Sequence, residues 1–452
     1  MTYWIYISAA AVVAIAGTYI LWGPSNRPKR KNKNTIPGLQ NLGNSCFLNA
    51  VLQSLSSCSA CIGWLVKAIE YANESQSEKC MLIKAILTVL SALNGCDDHF
   101  SGGEVIKALR SHRWIISHEE HDAHELFHVL TTTVEEELLT LNPVLSLLDT
   151  KKLEKEKNEV TNISTKPINP PLKTLPMKLA FPMRGLLVNE LKCNSCNYKY
   201  PVKYDTFDSI SLVIPSPNSG KLTLHDLLLK FISCENIQDA VCDVCPKNEP
   251  NSDNEEEVAP VKTTFSQQVS FGKLPDCLCI HIQRTVWLKN GFSVKCYDHV
   301  SFPDVLIMDH FVHKHIQRDR QLGASQSRLG LTGGNSSKVE MLANSNLQHP
   351  VLEHPPQLSS EISDSLQKAL PLSLNNEEYL HSYKHIYLLK AVIVHLGDAS
   401  SGHFITYRRV STSEQNERWF YASDLDVKEV SPSEVFRASP YMLFYEKVKR
   451  EC

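Results

Sequence analysis

Cys46 lies where a turn rich in Gly, Asn and Ser, residues 38–45, meets a segment with helical periodicity. A thiol at a helix N-terminus is exposed to the positive end of the helix dipole, which favours the reactive thiolate. A free cysteine, however, is most often simply a small buried apolar residue. Spacing alone therefore leaves Cys46 as a candidate nucleophile or as a core residue.

A thiolate nucleophile needs a base and a donor for the oxyanion that forms on the substrate. Asn41 stands five residues before Cys46 in the same turn, where its side-chain amide can donate to an oxyanion. His403 follows Gly402 at the start of a predicted strand and is the candidate base. At the end of the segment Trp419–Asp424, Ser423 or Asp424 can orient the imidazole. Together these residues predict a thiol-protease site.

Two C-x-x-C pairs suggest a metal site elsewhere in the chain, formed by Cys193, Cys196, Cys242 and Cys245. Four thiolates in two pairs suit a tetrahedral structural zinc ion, although the 45 residues 197–241 exceed the spacing of a compact zinc ribbon. Unpaired structural cysteines are the alternative. Fourteen cysteines in 452 residues are too sparse for a disulfide scaffold and indicate a reducing compartment. We predict structural zinc and no catalytic cofactor.

The segment His124–His128 matches H-E-x-x-H, in which two histidines one helical turn apart bind zinc and the glutamate acts as base. A zinc metalloprotease is therefore an alternative enzyme class. No third ligand follows at the spacing that metzincins use, which weakens this interpretation.

Residues 3–22 contain no charged side chain, and at about 1.5 Å per residue they extend roughly 30 Å, the thickness of a bilayer's hydrocarbon core. Five basic residues follow within 27–33, which predicts that the rest of the chain remains on the cytosolic side. A cleaved signal peptide would carry its basic residues before the apolar run. We therefore predict a single-pass anchor and basic linker over 1–35. The outer mitochondrial membrane suits this span, with the endoplasmic reticulum as the alternative.

The remaining chain, 36–452, is predicted to be an α+β catalytic domain. Helical periodicity dominates from 41 to about 136, and alternating or short apolar runs typical of strands dominate from about 180. Residues 150–174, 246–260 and about 309–380 are polar or charged and are predicted to be loops or disordered insertions. A net charge of -3 provides no basic field for nucleic acid, which we exclude as a partner.

These motifs jointly resemble the ubiquitin-specific protease family. The blocks that carry the resemblance run from Gly38 to Tyr445 and comprise Gly38–Asn49, Asp122–Glu125, Phe207–Leu212, Leu274–Pro275, Leu278–Arg284, Ser401–Phe404, Trp419–Asp424 and Tyr441–Tyr445. The resemblance implies a papain-like fold with thumb, palm and fingers, the fingers at about 185–270, and hydrolysis of the (iso)peptide bond after ubiquitin's C-terminal glycine. A catalytically silent ubiquitin-binding scaffold is the alternative, but it would need none of the predicted catalytic residues.

Carried over to this sequence, the family pattern makes Cys46 the nucleophile, His403 the base and Asn41 the oxyanion donor. The chain departs from the pattern at Ser423, where most members have Asp or Asn, and at 120–121, where Glu-His replaces two glutamines. A serine can accept the imidazole N–H but carries no charge. His281, within an apolar strand, is predicted to be structural.

The Cys-His-Ser arrangement with an N-terminal anchor resembles the mitochondrial outer-membrane member of the family. This resemblance implies that the protein removes ubiquitin from membrane-surface proteins and opposes mitophagy. It also implies a preference for polyubiquitin chains that are linked through the lysine at ubiquitin's sixth position. Ubiquitin and ubiquitinated membrane proteins are the implied partners.

Overall fold

The computed structural model describes residues 36–72, 79–95, 100–114, 121–141, 181–215, 221–245, 262–313, 383–399, 401–411 and 417–449. The anchor and linker predicted for 1–35 lie outside these ranges, as do the predicted loops 150–174 and 246–260 and residues 314–380 of the predicted insertion. Residues 309–313, at the start of that insertion, are described and include the buried side chain of Phe311.

Most helices come first in the chain. They are α1 (Cys46–Leu55), α2 (Ser59–Tyr71), α3 (Met81–Asn94), α4 (Gly103–Ser111), α5 (Ala123–Leu141), α6 (Leu224–Phe231), α7 (Pro432–Arg437) and a 3-10 turn (Asp309–Phe311). No single helix in the described ranges is long and apolar enough to cross a membrane, but α1 and α2, bent by 90°, pass that test as a pair.

Among the described residues after 184, most belong to strands. The short or early strands are β1 (Leu39–Gln40), β2 (Phe100–Ser101), β3 (Gly185–Cys193), β4 (Lys203–Phe207), β5 (Ser209–Val213), β6 (Leu222–Thr223), β7 (Glu235–Val241) and β8 (Lys262–Lys273). The later strands are β9 (Cys277–Gln283), β10 (Thr285–Trp287), β11 (Ser293–Lys295), β12 (Val300–Ser301), β13 (Val305–Ile307), β14 (Ile386–Gly397), β15 (Gly402–Ser411), β16 (Glu417–Ser423), β17 (Asp426–Val430) and β18 (Met442–Lys447).

Eight strands form the main sheet, in the order β17-β16-β15-β14-β18-β9-β5, with β13 paired to β14. All its pairs are antiparallel except β5 with β9. One face packs against the helices α1 to α5, and the other packs against α6 and α7. Because residues alternate between faces along a strand, β15 contributes Phe404 to the first core and Ile405 to the second. The α+β prediction is confirmed.

A second sheet of four strands, in the order β4-β3-β8-β7, extends from the main sheet. It has a small core of its own around Cys193, Cys242, Cys245 and Phe265. Many side chains of β7 are exposed, so this sheet buries little apolar surface.

Arg408 is fully buried and joins three elements of the fold. From β15, its guanidinium donates to Gln53 Oε1 of α1 at 2.8 Å and to Asn94 Oδ1 of α3 at 2.7 Å. Burial lowers the pKa of Arg408 to about 9. Since an unpaired buried donor is costly, these amide acceptors fix α1 against β15.

Candidate active site

Cys46 is the first residue of α1 and is buried. The preceding turn folds around the side-chain oxygen of Asn41, which accepts hydrogen bonds from the backbone N–H groups of Gly43 and Ser45, each at 3.0 Å. Gly43 and Asn44 adopt positive φ angles of 92° and 51°, which glycine and asparagine tolerate best. The Gly, Asn and Ser residues therefore allow the tight turn that places the Cys46 thiol at the first position of α1.

The catalytic base predicted from the sequence, His403, lies at the start of β15. Its Nε2 atom is 2.7 Å from Oγ of Ser423, the last residue of the neighbouring strand β16. This hydrogen bond fixes the ring and leaves its other nitrogen, Nδ1, for a reacting group.

Helix α1 and strand β15 lie side by side and run in the same direction. Thr406 Oγ1 donates to the carbonyl of Ala50 at 3.0 Å, and Arg408 contacts Gln53 one step further along both elements. Cys46 precedes Ala50 by about one helical turn, and His403 precedes Thr406 by three residues of strand. The structure therefore brings the thiol and the imidazole to the same end of this packed pair.

Asp424 follows Ser423 and ties the strand end to the segment that carries Cys46. Its carboxylate accepts from the side-chain amide of Asn41 at 2.9 Å and from that of Asn49, on α1, at 2.8 Å. Its backbone carbonyl accepts from Leu39 N at 2.9 Å. Of the two residues that the sequence offered as orienting groups, the structure thus places Ser423 against the imidazole and Asp424 against the two amides.

A glycine makes this connection possible. A Cβ atom added at Gly38 would lie 2.6 Å from the Asp424 carbonyl oxygen and 2.7 Å from Leu425 Cα, closer than real contacts allow. Asn49 was not predicted from the sequence. Its signal was a polar amide within the apolar run of α1, shared only with Gln53, because a buried amide side chain needs a partner.

The histidines of the H-E-x-x-H segment lie between α5 and the main sheet. His124 Nε2 lies 2.8 Å from Ser209 Oγ and 3.1 Å from His128 Nε2, and its ring stacks on His281 at a centroid distance of 3.9 Å. Burial lowers the pKa of His124 to about 3 and that of His281 to about 4. In the described part of the chain, no third His, Cys, Asp or Glu completes a metal-binding group with the His124 and His128 pair.

The predicted metal ligands come together in the four-stranded sheet. The sulfur atoms of Cys193, Cys196, Cys242 and Cys245 all lie within 4.8 Å of one another, with Cys193–Cys245 and Cys196–Cys242 each at 3.7 Å. Ligands about 2.3 Å from a tetrahedral zinc ion lie about 3.8 Å apart. The four cysteines could thus hold such an ion, with the first pair at the end of β3 and the second directly after β7.

Comparison with known proteins identifies the family. The profile of the family described as ubiquitin carboxyl-terminal hydrolase matches residues 37–445, which is most of the chain. The chain belongs to this family. The prediction of a thiol protease that acts on ubiquitin conjugates is thereby confirmed, and family membership favours it over the metalloprotease and silent-scaffold alternatives.

Individual relatives align with this chain over nearly its whole length. The chain is 37% identical to ubiquitin carboxyl-terminal hydrolase 30 of Rattus norvegicus, over 99% of this chain and 91% of the relative. It is 36% identical to the proteins of the same name from Homo sapiens, over 99% and 91%, and from Danio rerio, over 100% and 93%. The resemblance to this member predicted from the sequence is confirmed.

Solved structures support the fold. The chain resembles one in the SAGA Ubp8/Sgf11/Sus1/Sgf73 DUB module bound to ubiquitin aldehyde, with a TM-score of 0.57 and 18% identity, covering 92% of this chain and 70% of that one. The structure of the SAGA Ubp8/Sgf11/Sus1/Sgf73 DUB module gives a TM-score of 0.51 at 17% identity, covering 92% and 68%. At this identity the likeness concerns the fold alone.

Proposed function

We propose that this ubiquitin carboxyl-terminal hydrolase acts through Cys46, His403, Ser423 and Asn41. The observation that carries the proposal is the 2.7 Å contact between His403 Nε2 and Ser423 Oγ, at the end of β15 that lies beside the start of α1. The Cys46 thiolate attacks the carbonyl carbon of ubiquitin's C-terminal glycine and forms a thioester, which breaks the bond from that carbon to the lysine nitrogen. His403 then protonates the leaving lysine amine, and water hydrolyses the thioester.

Ser423 positions the base without adding a charge. Its hydroxyl oxygen can accept the Nε2 proton of His403, which leaves Nδ1 to exchange a proton with the thiol. A neutral acceptor stabilises the imidazolium less than a carboxylate does. The active pair therefore depends on the helix dipole at Cys46 for part of its thiolate stabilisation.

Asn41 is the proposed oxyanion donor. An amide nitrogen carries two hydrogens, and Asp424 accepts a hydrogen bond from this one, which holds the amide in place. The second hydrogen can stabilise the negative charge that develops on the substrate oxygen. Asp424 thereby acts on the donor side of the site, through Asn41 and Asn49.

The four-stranded sheet and the N-terminal segment complete the proposal. Zinc held by Cys193, Cys196, Cys242 and Cys245 would stabilise the four-stranded sheet, whose strands β3, β4, β7 and β8 lie in the region predicted to form the fingers. This sheet would contact ubiquitin. The anchor over 3–22 places the enzyme on the cytosolic face of the outer mitochondrial membrane, where it removes ubiquitin from surface proteins and opposes mitophagy. The uncharged run 3–22 and the basic residues that follow it support a membrane anchor with the catalytic domain on the cytosolic side.

Ubiquitin with a C-terminal electrophile tests the proposal directly. The wild-type chain should form one covalent adduct, mapped to Cys46 by mass spectrometry, and Cys46→Ala should form none. Cys234→Ser, which changes an exposed cysteine of the four-stranded sheet region, serves as the matched control and should react fully. An adduct that persists in Cys46→Ala, or activity abolished by EDTA and insensitive to a thiol alkylator, would contradict the mechanism.

A further inference from the structure

A second cysteine cluster lies where α2 meets the main sheet, outside the active site and the four-stranded sheet. The sulfur atoms of Cys58, Cys61 and Cys277 all lie within 4.8 Å of one another, and those of Cys61 and Cys277 are 3.5 Å apart. Their exposed fractions are 0%, 6% and 1%. The cluster is therefore closed to solvent, as structural metal sites are.

The chain builds this cluster in the way that it builds the four-cysteine group. Cys58-Ser59-Ala60-Cys61 is a third C-x-x-C pair in the sequence. Cys58 precedes the first residue of α2, and the Cys61 N–H donates to the Cys58 carbonyl at 3.1 Å, so the turn presents both sulfur atoms together. Cys277, the first residue of β9, supplies the third sulfur from more than 200 residues away.

A carboxylate holds the two parts of the cluster in register. Glu446 lies opposite Cys277 across the β18–β9 pair, so both side chains are on the same face of the sheet. Its Oε1 atom accepts from Ser59 Oγ at 2.9 Å and from Ala60 N at 2.6 Å, the two residues between the cysteines. Lys390 Nζ lies 4.0 Å from Oε2 and offsets the negative charge. Such outer-shell contacts orient the ligands of metal sites.

The number and type of ligands indicate which ion fits. Thiolates favour soft ions such as Cu(I) and Zn(II), but structural zinc sites use four protein ligands. Among the described residues, the group of mutually close ligand atoms ends at these three sulfurs. A redox role is disfavoured, because thiol–disulfide exchange requires that a partner thiol reach the cysteines, and all three of these sulfur atoms are buried.

We propose that Cys58, Cys61 and Cys277 form a closed three-thiolate site for the soft monovalent ion Cu(I). On binding, each ligating thiol releases its proton to solvent, and no electron is transferred. The bound ion ties the start of α2 to β9. Because α2 follows α1 after three residues, the ion would also strengthen the support of the helix that begins with Cys46.

The test measures metal binding by the full-length chain rather than its activity. Zinc-loaded protein carrying Cys46→Ala, which removes a competing thiol, is titrated anaerobically with Cu(I) buffered by bicinchoninate. We expect one tight equivalent. Adding Cys61→Ser should weaken it at least about 100-fold, since loss of an outer-shell partner alone costs roughly 10- to 100-fold.

Cys279→Ser is the matched control, because Cys279 is equally buried two residues further along β9 but lies outside the cluster. It should retain the Cu(I) equivalent. Equal affinity in the Cys61→Ser protein, or release of zinc with each Cu(I) bound, would overturn the proposal. A second bound zinc that is lost in Cys61→Ser would overturn the choice of ion.

If the Cys61→Ser protein does not fold, X-ray absorption of the Cu(I)-loaded Cys46→Ala protein tests the site without it, because it counts the sulfur neighbours of the copper ion. Three sulfur neighbours around copper support the site. Two sulfur neighbours, or nitrogen and oxygen neighbours, contradict it.

Discussion

At the residue scale, the site divides two tasks between adjacent residues. Ser423 contacts the imidazole of His403, whereas Asp424 binds the amides of Asn41 and Asn49. Asp424 adopts a positive φ of 51°, which turns the chain between β16 and β17 and aims its carboxylate at those amides. Asp424 therefore does not replace the charge that Ser423 lacks; it holds the two amides beside Cys46, the proposed nucleophile.

Replacing Ser423 should slow catalysis without abolishing it. Ser423→Ala removes the acceptor from His403 Nε2, and a hydrogen bond to a group that becomes charged is worth about 1.5–3 kcal/mol. We expect kcat for a fluorogenic ubiquitin substrate to fall about 10- to 100-fold. KM should change little, because Ser423 contacts the base and not the bulk of ubiquitin.

Ser433→Ala is the control for this substitution, since Ser433 is exposed on α7. Its kcat should equal that of the wild type. If Ser423→Ala also kept the wild-type kcat, another group would have to orient His403.

At the element scale, the site depends on how closely the segment before β1 approaches the turn after β16. Gly38→Ala would drive a methyl group into the backbone of Asp424 and Leu425. We expect a lower melting temperature and a loss of kcat of at least about tenfold, because shifts near 1 Å at a site cost up to 100-fold.

Gly63→Ala provides the matched comparison. A Cβ at this position in α2 meets nothing within 4 Å. Glycine inside a helix costs roughly 0.5–1 kcal/mol relative to alanine, so this variant should be slightly more stable and fully active. Equal effects of the two variants would show that the close approach at Gly38 does not matter.

The free energy of unfolding should depend on pH through His281, which lies on β9 and stacks on His124 of α5. Burial lowers the pKa of His281 to about 4 in the folded chain; Asp122 opposes this shift, whereas His128 and Arg284 add to it. Its unfolded pKa is about 6.5, so the unfolded state binds the proton first as the pH falls. The free energy of unfolding should therefore decrease from about pH 6.5 towards pH 4, by at most about 1.4 kcal/mol per pH unit for this group.

Urea unfolding at pH 7.5, 6 and 5 measures this slope. His281→Phe keeps the ring stack with His124 and removes the titrating group, so its slope should be shallower than that of the wild type. His299→Asn, at an exposed position, should leave the slope unchanged. A wild-type slope in His281→Phe would refute the assignment.

At the scale of the whole molecule, the sequence predicted what local patterns encode. Helical periodicity predicted the helical region from 41 to about 136, which holds α1 to α4 and most of α5. Apolar patterns predicted the strands after about 180, because each strand of the main sheet has one or two apolar faces. The resemblance predicted that Cys46 and His403 belong to one site, although some 350 residues of sequence separate them. From its residue type, Arg408 in β15 would be expected at the surface, but it is fully buried. Its burial is possible because amide acceptors from two helices distant in the sequence pair with its guanidinium. Such long-range contacts leave no trace in local spacing.

The four-stranded sheet offers a prediction about the molecule as a whole. Its small core around Cys193, Cys242, Cys245 and Phe265 buries little apolar surface, so a bound metal ion should supply much of its stability. Cys196→Ser should reduce the zinc content by one equivalent and weaken this sheet. If the sheet contacts ubiquitin as proposed, KM for ubiquitin substrates should rise about tenfold or more. The kcat should change little, because the proposed active site lies between α1 and the main sheet, away from the four-cysteine group.

Cys234→Ser is the control, because Cys234 is exposed immediately before β7 and stands outside the four-cysteine group. It should keep both the zinc and the wild-type KM. Metal analysis and steady-state kinetics on the same preparations separate the two parts of the prediction. Unchanged zinc content in Cys196→Ser would remove the metal site, whereas lost zinc with an unchanged KM would remove only the contact with ubiquitin. The second result would show that the four-stranded sheet takes no part in binding ubiquitin.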